Sequence, residues 1–250
     1  MTTRDRAFDP ARDGLLDGID LVIFDKDGTL IDFDAMWSPW IVELTRRLET
    51  LTGVAIAARL YAELGFDPVA GRTIAGAPLA VLPMADLRRA TAHALVRAGV
   101  GERAAAEAVE GAWFVPDPVV SALPITHLPS LFGELRRRML RVAVATSDDR
   151  RPTELTMAGL GVDALIDIYA CADDGLAVKP APDMVLDVCR RLGVEPPRAA
   201  VVGDSRADLA MGRAAGAGRV VGVLSGVSAR ADLEPLADVI LATVAELVTA

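Results

Sequence analysis

Two aspartates flank a lysine directly after an apolar stretch near the start of the chain. Residues 19–24 run Ile-Asp-Leu-Val-Ile-Phe and are followed by Asp25, Lys26, Asp27 and Gly28. Such a run predicts a buried parallel strand, and the glycine predicts that the strand ends there. Ligands of open α/β sheets bind at the carboxyl ends of strands, so the two carboxylates form a candidate functional site. An ordinary Asp-Gly surface turn is the alternative.

Three later segments also place polar residues where a predicted strand ends or a helix begins. Thr146 and Ser147 follow an apolar run, and Lys179 precedes two prolines. Asp204 follows a further apolar run, with Asp208 one helical turn beyond it. Each feature alone is common in turns and at helix N-termini. Their combination predicts a single site at one edge of a sheet.

These residue types fit the hydrolysis of a phosphate monoester. That reaction needs a positioned nucleophile, neutralisation of oxygen charge and protonation of the leaving group. The Asp25 carboxylate can attack phosphorus to form an acyl phosphate, and Asp27 can protonate the leaving oxygen and later activate water. Thr146 and Lys179 can bind the phosphoryl oxygens.

The acidic residues also predict a divalent cation. Asp25, Asp204 and Asp208 offer the hard oxygen ligands that Mg²⁺ prefers. The chain carries a net charge of −9, which argues against a nucleic-acid partner. An anionic small substrate therefore needs a locally positive site, which Mg²⁺ and Lys179 together can supply.

Alternating strands and helices position these residues. The predicted strands after the first cover residues 141–145, 168–170, 199–202, 220–223 and 239–241. The predicted helices between and after them cover residues 129–138, 150–158, 182–192, 207–215 and 244–248. This alternation predicts an α/β fold with a doubly wound parallel sheet.

Residues 34–120 interrupt the alternation with helical periodicity in four segments. Between the second and third segments, residues 65–83 are rich in glycine and proline and predict a loop with at most a short turn. We therefore expect a core of residues 1–33 and 121–250 with an inserted α-helical domain over residues 34–120.

The chain resembles the haloacid dehalogenase superfamily of hydrolases, in the phosphoglycolate-phosphatase-like branch with a helical cap inserted after the first motif. The matching motifs are FDKDGTL, ATSD, VKPAPD and GDSRAD. The resemblance implies a Rossmann-like core, with Asp25 as nucleophile and Asp27 as acid and base. It further implies that the phosphate is bound by Thr146, Ser147 and Lys179.

The resemblance also implies a metal site and a specificity loop. In this family Mg²⁺ is held by the residues that match Asp25 and Asp204 and by the backbone carbonyl that matches Asp27, with Asp208 in support. Caps of this type present a loop to the active site, which makes Arg72 the candidate specificity residue. An ordinary solvated arginine is the alternative for Arg72.

Three functions remain open within this fold. Asp27 favours a phosphate substrate over a halide, since only a leaving oxygen needs a proton. Residues 34–120 contain no lysine, which excludes a phosphonatase that forms a Schiff base there. A phosphatase of a small phosphorylated metabolite, phosphoglycolate-like or a sugar phosphate, is the first expectation, and a sugar-phosphate mutase is the second. A non-catalytic binding or regulatory protein predicts the loss of a motif side chain, and none is missing.

Several other residues are predicted to be structural. Alternation along the strand turns Lys26 away from Asp25, toward a structural or surface position. His93 and His127 lack partner patterns, and Trp37 and Trp40 are expected to pack the first inserted helix rather than line the site. Neither cysteine belongs to a metal motif, which predicts two buried, reduced thiols, Cys171 and Cys189.

The sequence also suggests a location. No stretch approaches the roughly 18 apolar residues of a membrane helix. The first dozen or so residues are charged, lack the apolar segment of a secretory signal and are expected to be loosely ordered. A cytoplasmic protein is therefore the expectation.

Overall fold

The computed structural model describes residues 14–248, and its centre is a sheet of six parallel strands. The sheet has the order β5-β4-β1-β6-β7-β8. Its strands are β1 (Leu21–Phe24), β4 (Arg141–Ala145), β5 (Ile168–Ala170), β6 (Ala199–Gly203), β7 (Arg219–Val223) and β8 (Val239–Leu241). The prediction of a loosely ordered chain start lies outside the described residues.

The first strand lies in the middle of the sheet because every one of its side chains is apolar and fully buried. Leu21 is in register with Arg141 of β4 on one side and Ala199 of β6 on the other. Its alternate residues pack into different cores, with Phe24 beside Phe132 and Ile23 in the opposite cluster. Helices thus cover both faces, which confirms the doubly wound parallel fold.

The helices fall into an inserted group and a core group. The inserted group comprises α1 (Phe33–Thr52), α2 (Ala57–Leu64), α3 (Pro78–Val81), α4 (Met84–Arg97) and α5 (Glu102–Ala112). The core group comprises α6 (Leu128–Arg137), α7 (Arg150–Gly159), α8 (Asp183–Leu192), α9 (Arg206–Ala215) and α10 (Arg230–Leu233). Short 3₁₀ turns span Asp163–Leu165, Ala172–Asp174, Pro196–Arg198 and Val244–Leu247, the last where an α-helix was predicted.

The inserted helices share a core of their own, centred on Trp40, Leu44 and Leu60. The glycine-rich stretch over residues 65–83 is more ordered than predicted, because it forms the short hairpin of β2 (Phe66–Asp67) and β3 (Arg72–Thr73) and then α3. Asp34 ties this hairpin to α1, since its Oδ1 accepts the Thr73 amide at 2.9 Å. The domain boundaries at residues 34 and 120 remain predictions.

Both cysteines are buried and free, as predicted. Burial raises the pKa of the Cys171 thiol to about 12 and that of Cys189 to about 11, so both remain protonated. Within residues 14–248, none of the helices combines the length and the apolar character needed to cross a membrane.

Candidate active site

The predicted core residues meet at one cavity of about 60 Å³ at the carboxyl ends of β1, β4 and β6. These strands are neighbours in the sheet, so the turns that follow them converge. The predicted residues lining the cavity are Asp25, Asp27, Thr146, Ser147, Lys179, Asp204 and Asp208. The structure therefore brings together the core residues that the motifs singled out, while their chemical roles remain predictions.

Lys179 links two of the aspartates. Its Nζ lies 2.5 Å from Asp25 Oδ1 and 2.6 Å from Asp208 Oδ1, and all three side chains are almost fully buried. Burial disfavours the charged amine, but Asp208 and Asp25 outweigh it and raise the pKa of Lys179. The lysine is therefore a fixed positive charge directly beside the candidate nucleophile.

Asp25, Asp204 and Asp208 form a buried acidic cluster whose oxygen atoms lie within 4.8 Å of one another. Burial and the neighbouring Asp208 raise the pKa of Asp25 to about 7, although Lys179 opposes the shift. Burial, Asp208 and Asp25 likewise raise the pKa of Asp204. One lysine does not compensate three buried carboxylates, and their hard oxygens suit a divalent cation. The side chain of Asp27 does not belong to this cluster, which includes Asp208 instead.

Asp204 is held by a loop after β7 that sequence reasoning missed. Its Oδ2 accepts the Val227 amide at 2.9 Å. A Cβ at Gly226 would lie 1.9 Å from the same oxygen, and one at Gly28 would lie 2.6 Å from it, with a φ of +81°. Only glycine allows both turns to approach this carboxylate so closely. The sequence signal that could have indicated this loop is the Ser225-Gly226 pair, which begins two residues after the predicted strand over residues 220–223.

Asp27 is held by different partners from those of Asp25. Lys26 Nζ lies 2.6 Å from Asp27 Oδ2, and Trp37 Nε1 donates to Asp27 Oδ1 at 3.4 Å. Burial raises the pKa of Asp27, although Lys26 and the Trp37 hydrogen bond counteract the shift. A carboxyl group that retains its proton more readily than usual can serve as a general acid.

Lys26 is buried, so of the two predicted positions, structural or surface, the structure rules out the surface one. It also contacts Asp148 Oδ2 at 2.9 Å. The chain turns back directly after β1, since the amides of Leu30 and Ile31 both donate to the Lys26 carbonyl. Strand alternation therefore does not continue past Asp25, and the Lys26 side chain turns inward between two acidic residues.

Thr146 and Ser147 line the cavity at the end of β4. Thr146 Oγ1 accepts the Asp148 amide at 3.1 Å, so its hydroxyl proton can be donated to a ligand. Asp149 is the N-cap residue of α7 but makes no side-chain capping bond. Asp148, the residue before it, pairs with Lys26.

The inserted helices close the cavity with side chains that are almost all apolar. We call this surface the apolar wall, formed by Phe33, Trp37, Leu79, Ala80, Val81, Leu82, Met84 and Leu87. Trp37 therefore lines the site in addition to packing edge-on against Trp40, whereas only packing was favoured from the sequence.

Arg72 is not among the residues that line the cavity. It lies exposed on the β2–β3 hairpin. The part of the inserted segment that faces the cavity is instead α3 and the start of α4. His93 is also exposed, and His127 caps α6 by accepting the Ser130 amide at Nδ1. In this structure Arg72 thus lies outside the cavity, and its role in specificity remains a prediction, while His127 makes a structural contact.

Comparison with known proteins places these features in a family. A sequence model of the haloacid dehalogenase-like hydrolases matches residues 19–216. The chain is 30% identical over 201 residues to validoxylamine A 7'-phosphate phosphatase of Streptomyces hygroscopicus subsp. limoneus, covering 78% of this chain and 82% of the relative. It is 36% identical over 112 residues to phosphoglycolate phosphatase of Rhodospirillum rubrum, covering 44% and 46% of the two chains.

A solved β-phosphoglucomutase from Clostridium difficile shares the fold. It is 18% identical with a TM-score of 0.60, covering 92% of this chain and 93% of that one. The prediction of an enzyme from the four motifs is confirmed by the family match and by relatives that are named phosphatases. Since the matched segment takes in β1, all the inserted helices and every motif, the chain belongs to the haloacid dehalogenase-like hydrolases.

Proposed function

We propose that the protein is a Mg²⁺-dependent hydrolase of a small phosphate monoester that acts through a phosphorylated Asp25. The observation that carries this proposal is that Asp25 and Asp27 line the same cavity with different partners. Asp25 pairs with Lys179 beside the acidic cluster, whereas Asp27 pairs with Lys26 and Trp37. Two carboxylates in different environments suit two different roles, attack and proton transfer.

The first step forms a bond between Asp25 and phosphorus and breaks the ester bond. As that bond breaks, Asp27 donates its proton to the leaving oxygen, so the product departs as a neutral alcohol. Lys179, which pairs with Asp25 in the free enzyme, can move its charge to the phosphoryl oxygens. Thr146 donates a hydrogen bond to the same group.

The second step returns Asp25 to its carboxylate form. Asp27, now ionised, accepts a proton from a water molecule that attacks phosphorus, and the bond to Asp25 breaks to release inorganic phosphate. Asp25, Asp204 and Asp208 would hold Mg²⁺, together with the backbone carbonyl of Asp27. The bound ion would supply positive charge to the phosphoryl oxygens.

A small phosphorylated metabolite is the proposed substrate, and the cytoplasm the proposed location. The named relatives act on phosphoglycolate and on the 7'-phosphate of validoxylamine A. The likeness to a β-phosphoglucomutase supports a sugar-phosphate mutase as the second candidate, since such an enzyme needs the same core residues. A non-catalytic protein is disfavoured, because every motif side chain with a proposed chemical role lines the cavity.

Hydrolysis of p-nitrophenyl phosphate with and without Mg²⁺ tests the proposal. We expect Mg²⁺-dependent turnover in the wild type, with none in Asp25→Asn. Asp187→Asn is the matched control, because Asp187 lies on α8 outside the cavity and pairs with arginines there. Equal activity of the wild type and Asp25→Asn would refute the nucleophile assignment.

A separate measurement distinguishes hydrolysis from transfer. With a sugar phosphate as substrate, a phosphatase releases inorganic phosphate, whereas a mutase returns the phosphoryl group to another hydroxyl of the sugar. Phosphorus NMR of the reaction mixture follows both products. Isomerised sugar phosphate without free phosphate would overturn the hydrolase proposal in favour of the mutase.

A further inference from the structure

The apolar wall offers a substrate almost no polar atom. The indole Nε1 of Trp37 already donates to Asp27. The backbone amides of Ala80 and Leu82 are also used, since they donate to Ala77 and Pro78 within their own segment. A ligand group that faces this wall therefore gains little from carrying hydroxyls, because each buried hydroxyl without a partner costs free energy.

The inserted helices also bring no positive charge to the cavity. Residues 34–120 contain eight arginines, and none is among the residues lining it. Seven of them pair with acidic residues elsewhere, namely Arg46 and Arg47 with Glu43, Arg59 and Arg97 with Glu63, Arg88 with Glu110, Arg89 with Asp86, and Arg103 with Glu107. The eighth, Arg72, lies on the exposed hairpin.

Lys179 is thus the one lysine or arginine that lines the cavity within the described part of the chain. Its charge is shared by Asp25 and Asp208, next to Asp204. A phosphate supported by a cation can occupy this end of the cavity. A second anionic group on the substrate, such as a carboxylate, that lies against the apolar wall would find no cation there to pair with it.

The space beside the active-site cavity can hold an apolar group that is larger than the 60 Å³ of that cavity. A second cavity of about 550 Å³ adjoins the first and shares Val81, Leu82 and Lys179 with it. Most of its lining residues are apolar or small, among them Pro83, Ala210 and Leu236. Arg206 also lines it, together with the acidic residues Asp86 and Asp232. Val81 is partly exposed at the boundary between the two spaces.

We propose that the alcohol part of the substrate is apolar, an aryl or branched alkyl group with neither a second charge nor a series of hydroxyls, and that it packs against the apolar wall. This inference rests on the proposed phosphatase function and narrows its substrate class. It sets this protein apart from relatives named for phosphoglycolate or for validoxylamine A 7'-phosphate. The ester bond then lies between the wall and Asp25, with the phosphate on the side of Lys179.

A panel of esters of primary alcohols tests the inference. We would compare 2-phenylethyl phosphate and 3-methylbutyl phosphate with glycerol 3-phosphate, glucose 6-phosphate and phosphoglycolate, and include p-nitrophenyl phosphate as a general substrate. The expected result is a kcat/KM at least about tenfold higher for the two apolar esters, since a single methylene in an apolar pocket changes kcat/KM by about 10- to 200-fold.

Variants of the wall connect this preference to the structure. Leu87→Ala should reduce the ratio of kcat/KM for 2-phenylethyl phosphate over glycerol 3-phosphate by about tenfold. Leu95→Ala is the matched control, because Leu95 lies on the same helix and is equally buried but does not line the cavity. Val81→Ser, at a partly exposed position, should lower the ratio in the same direction if Leu87→Ala fails to fold.

The possible outcomes distinguish failure of the apolar substrate class from failure of the proposed phosphatase function. Hydrolysis of p-nitrophenyl phosphate with equal or better use of the polyol or carboxylate esters overturns the apolar substrate class alone. An unchanged ratio in both wall variants overturns it as well. Failure to hydrolyse any ester overturns the proposed phosphatase, and the inference with it.

Discussion

Lys26 and Asp148 are joined by a buried ion pair, with Nζ 2.9 Å from Oδ2, that connects the turn after β1 to the segment after β4. Only 1% of the lysine side chain is exposed, and its Nζ also contacts Asp27. Burial disfavours the charged amine, but Asp148 and Asp27 outweigh it and raise the pKa of Lys26. The pair therefore fixes the position of the candidate general acid relative to the phosphate-binding segment.

Replacing Lys26 with methionine should destabilise the protein by about 3 to 5 kcal/mol, the usual cost of removing one partner from a buried ion pair. The reason is that Asp27 and Asp148 would face each other without a cation. Chemical denaturation measures the change in the free energy of unfolding. Arg103→Met is the control, because the Arg103–Glu107 pair is largely exposed and should matter little.

The double variant Lys26→Met/Asp148→Asn distinguishes charge from packing. Removing the Asp148 carboxylate should restore part of the stability lost in Lys26→Met, since the repulsion between Asp148 and Asp27 disappears. A Lys26→Met protein as stable as the wild type would show that the pair contributes nothing to the fold.

The effect of Asp27→Asn should depend on the leaving group. An alkyl alkoxide needs a proton as it departs, whereas p-nitrophenolate is stable without one. We therefore expect turnover of an alkyl phosphate to fall by about 10²- to 10⁴-fold, with a much smaller loss for p-nitrophenyl phosphate in the step that breaks the ester bond. Single-turnover measurements with both esters isolate that step. Equal losses for the two would argue against Asp27 as the acid.

The sequence predicted that the core residues would meet in space, because three of them are tied to strand ends. Asp25, Thr146 and Asp204 follow runs that form adjacent parallel strands, so the topology alone brings them together. Lys26 was harder to place, since its position depends on a turn that reverses the chain directly after β1. Local periodicity does not describe such a turn.

The apolar wall was harder to predict than Lys26, because it depends on how the inserted helices pack over the core. The irregular stretch over residues 65–83 was expected to reach the site through Arg72, whereas other residues of that stretch line the cavity. Arg72 lies on the exposed hairpin, whereas Leu79 and its neighbours in α3 face the cavity. Arg72 was the candidate because its charge could bind a substrate. Burial of apolar side chains, however, decides which part of this segment faces inward.

Replacing Gly226 with alanine should weaken metal binding without unfolding the protein. The new Cβ would lie 1.9 Å from Asp204 Oδ2, so the carboxylate or the loop must move. We expect the Mg²⁺ concentration for half-maximal activity to rise by about 10- to 100-fold, as is usual when a group that orients a metal ligand is disturbed. Titration of activity with Mg²⁺ measures this.

Gly133→Ala is the matched control, because Gly133 lies within α6 and a Cβ there meets no atom within 4 Å. It should leave the Mg²⁺ dependence unchanged and stabilise the protein by roughly 0.5 to 1 kcal/mol, the usual gain at a helix interior. If Gly226→Ala and the wild type showed the same Mg²⁺ dependence, Asp204 would not contribute to metal binding.

Without a divalent cation, the contribution of Asp25 to stability should fall as the pH rises. Burial and the nearby Asp208 raise the pKa of Asp25 to about 7 in the folded protein, from an ordinary value of 3.8. Between these values the folded protein holds a proton that the unfolded chain has already released. The Asp25 contribution is therefore largest below about pH 4 and lost by about pH 7.

Mg²⁺ should reverse this trend, because it binds the ionised carboxylates and competes with the proton. The rise in Tm on adding Mg²⁺ to chelator-treated protein should accordingly be larger near pH 8 than near pH 5. In the absence of Mg²⁺, the Tm of Asp25→Asn relative to that of the wild type should increase over the same range, since asparagine has no charge to gain. A Mg²⁺-induced shift in Tm that is equal at both pH values would mean that the ion does not bind at this buried cluster.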